Sequence, residues 1–215
     1  MAMTGDDSLE QLYARHHRRE QAGGKRLGQA FLEMPRAKLF REWIGDGKVV
    51  LDLGCRDGTL TRHFLEGNRV TGADIDSAAL GDARGRYGLE TRRVNLNGPL
   101  PFDDRAFDAV LLAETLEHLP YPSITLAEIR RVLREGGAFI GNVPLSYHLH
   151  NRWRVMRGRP IDRDPSHLQH FSYESLRHLL QQFFSLERVV PLKGRLAGCS
   201  KRLFARNVAF LCRHG

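Results

Sequence analysis

Long apolar runs are missing from this chain: no stretch approaches the ~20 residues that cross a bilayer, and the opening MAMTGDDSLE lacks the apolar centre of a secretory leader. The expectation is a soluble, cytoplasmic protein with no membrane contact. Cysteine is equally scarce. Cys55, Cys199 and Cys212 are an odd number at unrelated spacings without a CxxC pair, which excludes a disulfide framework and gives no sign of a thiolate zinc site. Two phosphate-binding signatures are also absent, the G-x-G-x-x-G turn of dinucleotide sites and the GxxxxGK[ST] loop of nucleotide triphosphate sites. Neither internal repeats nor low-complexity segments occur.

What is present suits one core. A chain of 215 residues, 41% apolar and 27% charged, can bury roughly 70% of its unfolded surface in a single domain, so residues 1–215 are read as one. The net charge of +8 is uneven, with RHHRR at 15–19, Lys25–Arg26, RWRVMRGR at 152–159, and Lys193, Arg195, Lys201 and Arg202. Such clusters can steer anionic ligands, although solvated charge is the commoner explanation of a basic run.

From about residue 48 two kinds of segment alternate. KVVLDL, NRVTGADI, ETRRVNL, FDAVLLA and GAFIGNV are short β-branched or apolar runs bounded by Gly, Asp or Asn, as buried strands are. Between them TLTRHFLEG, SAALGDARGRYG and SITLAEIRRVLREGG carry helical patterns, the last with Ser123 as N-cap and a Gly-Gly stop. Alternation of this kind builds an α/β fold on a parallel sheet. Residues 1–46 read as an N-terminal helical cap ending in AKLFREWI, and 144–171, rich in proline and histidine, as an insertion on the substrate side. SYESLRHLLQQF (helix), SLERVVPL (strand) and RLFARNVAFLC (strand) close the chain.

The chemistry is placed by LDLGCRDGT at 51–59, where the first strand ends. Gly54 and Gly58 permit a sharp turn and close approach of a ligand, and Asp74 ends the second strand twenty residues after Gly54, where a carboxylate can accept two ribose hydroxyls. These blocks resemble the class I S-adenosylmethionine-dependent methyltransferases of the type-11 kind. LDLGCRDGT is similar to their first motif, with Asp52, Gly54 and Gly58 in place but Arg56 where a middle glycine is typical, and Cys55 lies with them in the cofactor loop. VTGADIDSAAL resembles the second motif, which implies Asp74 against the ribose and Ile75 against the adenine. VNLNGPLPFDDRAFDAVLLAETLEHLP resembles the next block, which implies that Asn95, Leu96 and Ala113 line the cofactor, Asn95 standing where an aspartate usually accepts from the adenine amino group. LAEIRRVLREGGAFIGNVP resembles the following helix, turn and fifth strand. The resemblance implies a Rossmann-like seven-stranded mixed sheet of order 3-2-1-4-5-7-6, strand 7 antiparallel, with helices on both faces. It implies S-adenosyl-L-methionine as cofactor and S-adenosyl-L-homocysteine as product.

Arg56 carries a cost of about 1 kcal/mol if its backbone must take positive φ; its guanidinium either pairs with the methionyl carboxylate of the cofactor or points to solvent. An activated sulfonium needs chiefly a well-placed nucleophile, and a base only where the acceptor must lose a proton. Glu114 and His118 are candidates from ETLEH, with Glu117, at helical spacings that put all three on one face. The E-x-x-E-H arrangement resembles the divalent-metal ligands of ubiquinone-pathway and small-RNA O-methyltransferases, but acidic first turns are common without metal, so a divalent ion is not favoured. The 144–171 stretch resembles the substrate-side region of related methyltransferases and offers His167 and His170 as pocket residues, with Tyr147 and Trp153 either against the acceptor or in the core; His148 and His150 lie in it too. The leading reading is methyl transfer to a small, anionic or hydroxylated acceptor, O-directed. An RNA methyltransferase and an inactive cofactor-binding sensor or partner protein stay open beside it; no recognisable RNA-binding module is appended, so nucleic acid is not favoured. Oligomeric state, acceptor and metal are not legible in the sequence.

Overall fold

The computed structural model describes residues 8, 10, 11, 30–162 and 164–215. The basic clusters at 15–19 and 25–26 and most of the expected N-terminal cap lie outside the described residues. Strands β1 (Val49–Leu53), β2 (Arg69–Asp74), β3 (Glu90–Arg93), β4 (Phe107–Ala113), β5 (Leu133–Pro144), β6 (Ser185–Lys193) and β7 (Asn207–Arg213) form one sheet of order β3-β2-β1-β4-β5-β7-β6. The first five pair in parallel, while β7 runs antiparallel to both β5 and β6. This is the Rossmann-like arrangement expected.

Alternation along the strands explains the two apolar layers. Leu51, Leu53, Val110, Leu112, Phe139 and Phe210 face one side and meet α3 (Pro122–Val132) and α5 (Tyr173–Gln181) through Leu126, Ile129, Leu176 and Leu180. Their neighbours Val50, Leu111, Ile140 and Leu211 face the other and meet α1 (Glu33–Ile44) and α2 (Ser77–Tyr87) through Phe40, Trp43, Ile44 and Leu80. Successive Cβ atoms of a strand point to opposite faces, so strands covered on both sides must be apolar at nearly every position. Two further short helices, α4 (Leu149–Met156) and α6 (Lys201–Phe204), lie outside these layers.

Local chemistry sets the ends. Asp76 caps α2 by accepting from the amides of Ala78 and Ala79, and Gly88 closes it at φ 64. Ser172 and Ser175 form a capping box on α5. Three expectations are corrected. TLTRHFLEG is no α-helix but a single 3₁₀ turn, Thr61–Phe64, because the stretch is hemmed between glycines at positive φ, Gly58 and Gly67, and Thr61 is tied down to Asp52 at 2.6 Å. Helix α3 starts one residue earlier than Ser123, with Tyr121 as N-cap and Pro122 in the first position, where a missing N–H costs nothing. It stops at Val132, ahead of the Gly-Gly pair, because Leu133 is already extended and pairs with Phe107. The start of RLFARNVAFLC is helical (α6), and the strand begins only at Asn207.

Candidate active site

The carboxyl ends of β1, β2 and β4 open on a cavity of about 410 Å³. Of the ten residues expected around a cofactor, nine line it: Asp52, Gly54, Cys55, Arg56, Asp74, Ile75, Asn95, Leu96 and Ala113. Gly58 does not. A Cβ there would meet Tyr87 Cδ2 at 3.1 Å and the Ala83 Cβ at 3.2 Å, so this glycine, at φ 72, lets the turn pack under α2 and does not face a ligand.

Asp74 organises the loop. Its Oδ2 accepts from the Arg56 amide at 2.9 Å and its Oδ1 from the Asp76 amide at 3.0 Å. Arg56 sits at φ 52, the left-handed conformation whose cost was weighed on condition that the turn needs it, and its Nη2 is buried with no hydrogen-bond partner. Asn95 turns its Oδ1 to the amide and Nδ2 of Asn97, at 3.0 and 3.1 Å, so the oxygen expected to meet an adenine amino group holds a turn here. Asp52 is buried, accepts from Thr61 Oγ1 at 2.6 Å, and is pushed up to about 7 by that burial. Burial, reinforced by the Asp52 and Asp74 charges, pushes the Cys55 thiol well above its ordinary value, which removes it as a nucleophile.

Across the cavity a buried polar network joins four elements. Arg36 of α1 donates through Nη1 to Asn142 Oδ1 at 3.3 Å. Asn142 Nδ2 donates to Asn207 Oδ1 at 3.1 Å and to Glu114 Oε1, which also accepts from Asn207 Nδ2 at 2.6 Å. Arg36, Asn142 and Asn207 went unseen in the sequence. The only signal for Arg36 was a cation at the start of the stripe Ala37, Phe40, Trp43 and Ile44, one turn ahead of Phe40 on an otherwise apolar face. Burial lowers the Arg36 guanidinium from its ordinary value, while the carboxylates of Glu114, Asp52 and Glu117 pull it back.

ETLEH does not put its three side chains on one helical face. Glu114 stands at φ 52 and only Leu116–His118 form a 3₁₀ turn, which sends Glu114 to the asparagines and Glu117 and His118 elsewhere. Their neighbour is His167. One ligand-type atom from each of Glu117, His118 and His167 lies within 4.8 Å of the others, and all three line the cavity. Burial, then the nearby Glu114 charge, raises Glu117 well above the usual carboxylate range.

His167 is brought in by backbone pairing: the amides of Leu168 and Gln169 both donate to the Glu117 carbonyl at 2.9 Å. Burial alternates along the segment: His167 lines the cavity and Phe171 is buried, while Leu168 and His170 are exposed. His170 is therefore corrected: it is exposed and does not line the cavity. Tyr147 and Trp153, 41% and 55% exposed, line neither cavity nor core, since α4, which carries Trp153 and follows directly on Tyr147, buries none of its residues. His148 stands at the N-terminal boundary of α4 without a side-chain capping bond and is lowered to about 4 by burial; it and the exposed His150 stand away from the cavity.

The residues present fit a nucleoside with a cationic tail: an acidic end to β2, the apolar wall of Ile75, Val94 and Leu96, and Asp52, Glu114 and Glu117 around one buried arginine. A ligand-binding edge opened at the carboxyl ends of β1 and its neighbours is the frame of a nucleoside-binding Rossmann-like domain. Residues 51–141 match the family described as "Methyltransferase domain", and the chain is similar in sequence and in fold to class I S-adenosylmethionine-dependent methyltransferases. It is 31% identical over 156 residues to demethylmenaquinone methyltransferase of Tropheryma whipplei, covering 66% of this chain and 63% of that protein. It is 35% identical over 97 residues to the ubiquinone biosynthesis O-methyltransferase of Nitrosococcus oceani, covering 42% and 41%. An S-adenosylmethionine-dependent methyltransferase of Thermotoga maritima superimposes with a TM-score of 0.70 at 16% identity, over 96% of this chain and 98% of that one, a likeness of fold. The chain spans about half the length of the curated relatives it matches, from 27% to 63%. No helix among the described residues is long and apolar enough to cross a membrane.

Proposed function

We propose that the protein transfers the methyl group of S-adenosylmethionine to a hydroxyl oxygen of a small, anionic or oxygen-rich acceptor. The observation that carries this reading is Asp74: a buried carboxylate at the end of β2 that holds the Arg56 amide at 2.9 Å and faces the same cavity as Glu114, His118 and His167. Asp74 accepts the ribose hydroxyls, and Ile75, Val94 and Leu96 pack on the base. Arg56 supplies a fixed cation for the methionyl carboxylate, and the carboxylates around Arg36 favour the positive sulfonium and ammonium groups.

The bound cofactor supplies an activated methyl group, so the protein's task is to orient the acceptor oxygen in line with it, exclude water, and accept or displace a proton. His118 and His167 stand where an acceptor would enter, and Lys193 and Arg206 at the cavity favour a negatively charged one. The O-directed sense is supported by the relative named for ubiquinone biosynthesis O-methylation.

Calorimetric titration of S-adenosylmethionine and S-adenosylhomocysteine into the wild type and Asp74→Ala, followed by an acceptor screen read by S-adenosylhomocysteine release, tests the proposal. Micromolar binding that disappears in Asp74→Ala, with turnover on a hydroxylated acceptor, is the expected result. Absence of cofactor binding by the wild type would sink the reading, and binding that survives Asp74→Ala would refute the assigned site.

A further inference from the structure

We propose that Lys193 and Arg206 form an anion subsite that selects the acceptor, a hydroxylated carboxylate or phosphate ester whose charged group docks on both side chains. That this ligand is the methyl acceptor rests on the methyl-transfer reading above; its binding as an anion does not.

The two residues belong to the last two strands and are held together by main-chain pairing. The Arg206 amide donates to the Lys193 carbonyl at 2.8 Å, and the Arg206 carbonyl accepts from the Leu145 amide at 3.0 Å. Asn207, the next residue, stands opposite Pro144 of β5 on one side and Lys193 of β6 on the other. Gly194 fixes the junction: it leaves β6 at φ 135, and a Cβ there would collide with the Phe204 carbonyl. Both cations therefore stand on tied backbone, and both line the cavity. The same corner is joined to the centre of the site, because Asn207 Nδ2 donates to Glu114 Oε1 at 2.6 Å.

Neither cation is neutralised. Arg62, Arg93, Arg131, Arg134 and Arg213 each hold a carboxylate oxygen at 2.6–3.2 Å. Among the described residues Lys193 and Arg206 have no such partner. Lys193 Nζ rests instead over the ring of Phe31, another cavity residue, 5.1 Å from its centre. A cation over an exposed ring is held more weakly than one bonded to a carboxylate or phosphate, so an anionic ligand can draw the ammonium away from it.

The placement of charge decides the ligand. Asp74 and Asp52 lie at the carboxyl ends of β2 and β1, whereas the two cations stand at β6 and β7, on the other side of the sheet. Neighbouring strands are ~4.8 Å apart, so the five steps from β2 to β6 amount to roughly 20 Å. One cavity thus has an acidic end that suits a sulfonium and an ammonium, and a basic end that disfavours them. The basic end fits a compact oxyanion, since a guanidinium fork and a lysine point charge both bind carboxylate and phosphate oxygens.

The test titrates lactate, salicylate and glycerol 3-phosphate into full-length protein with S-adenosylhomocysteine present. Each is set beside its uncharged counterpart: lactamide, salicylamide or glycerol. Calorimetry should show one or more of the anions binding roughly tenfold more tightly than its counterpart, as two exposed ion pairs allow; the pair that responds tells carboxylate from phosphate. Arg206→Gln and Lys193→Gln should each lower that preference about twofold to fivefold, and reversal of both charges to Glu should abolish it. Arg195→Glu, in the same loop but outside the cavity, should leave it unchanged. Cofactor binding by the variants reports that they fold. Equal binding within all three pairs, or no anion binding, by a wild type that takes the cofactor would overturn the subsite and leave the methyl-transfer reading standing. A preference lost equally in Arg195→Glu would overturn it too, as an effect of general surface charge. An anion preference abolished by the double reversal, in a protein that binds no S-adenosylmethionine, would support the subsite and defeat the methyl-transfer reading.

Discussion

Replacing Arg56 separates two roles of one residue. At φ 52 the arginine backbone costs about 1 kcal/mol relative to a relaxed region. Arg56→Gly removes that strain, but the glycine loses about 0.4–1 kcal/mol more conformational entropy on folding. The two nearly cancel, so the melting temperature should move by less than about 2 °C in a chain of this size. Arg56→Ala keeps the strain and loses only the guanidinium. Binding is where the variants should differ from wild type. The Nη2 atom is buried without a hydrogen-bond partner, and a hydrogen bond from it to a carboxylate is worth about 1.5–3 kcal/mol, a factor of roughly ten to a hundred in affinity. Calorimetric titration with S-adenosylmethionine and a thermal melt of each variant give both numbers. If Arg56→Ala binds the cofactor as tightly as wild type, the guanidinium is not a ligand contact and the assignment fails. Tighter binding by Arg56→Gly would further mean that strain in the turn, rather than contact, governs this position.

Asp52 gives the cofactor-free protein a pH signature. Its folded pKa, about 7, lies above the ordinary 3.8, so the unfolded chain ionises first. Stability from this group is complete below about pH 4 and falls until about pH 7, by up to roughly 4 kcal/mol. Urea unfolding across that window should show a weaker decline in Asp52→Asn, whose amide oxygen can still accept from Thr61; an identical decline would refute the burial argument. Phe139, fully buried and in ring contact with Phe184 and Phe210 at 5.0 and 5.2 Å, should cost about 3–5 kcal/mol when cut to Ala. Chemical denaturation showing a loss below about 1 kcal/mol would mean that this layer collapses around the gap.

The sheet was readable because its strands are local statements: FDAVLLA at 107–113 coincides with β4, a run apolar enough to be covered on both faces. The cofactor side of the site was readable for a related reason. LDLGCRDGT and Asp74 are consecutive strand ends, and in a parallel sheet consecutive strand ends meet. The positive φ of Arg56 was weighed only as a condition of the turn, and the turn takes it. Spacing failed beyond the strands. Glu114, Glu117 and His118 were read at helical intervals, but one left-handed residue and a 3₁₀ turn divide them.

The sequence by itself determined the alternating strands and helices, the loop and the acid opposite it, since each depends on chain neighbours and on the fixed hand of strand–helix–strand connections. The strand order and the antiparallel β7 were implied by the family resemblance. Tertiary structure alone decided the far side of the cavity. Arg36 meets Asn142 across 106 positions and Asn207 meets Glu114 across 93. His167 rather than His170 turns inward because Leu168 and Gln169 pair with the Glu117 carbonyl. Contacts of that separation leave no periodicity in the chain, because they arise only when the sheet brings its strand ends together and the 144–171 segment folds back over them.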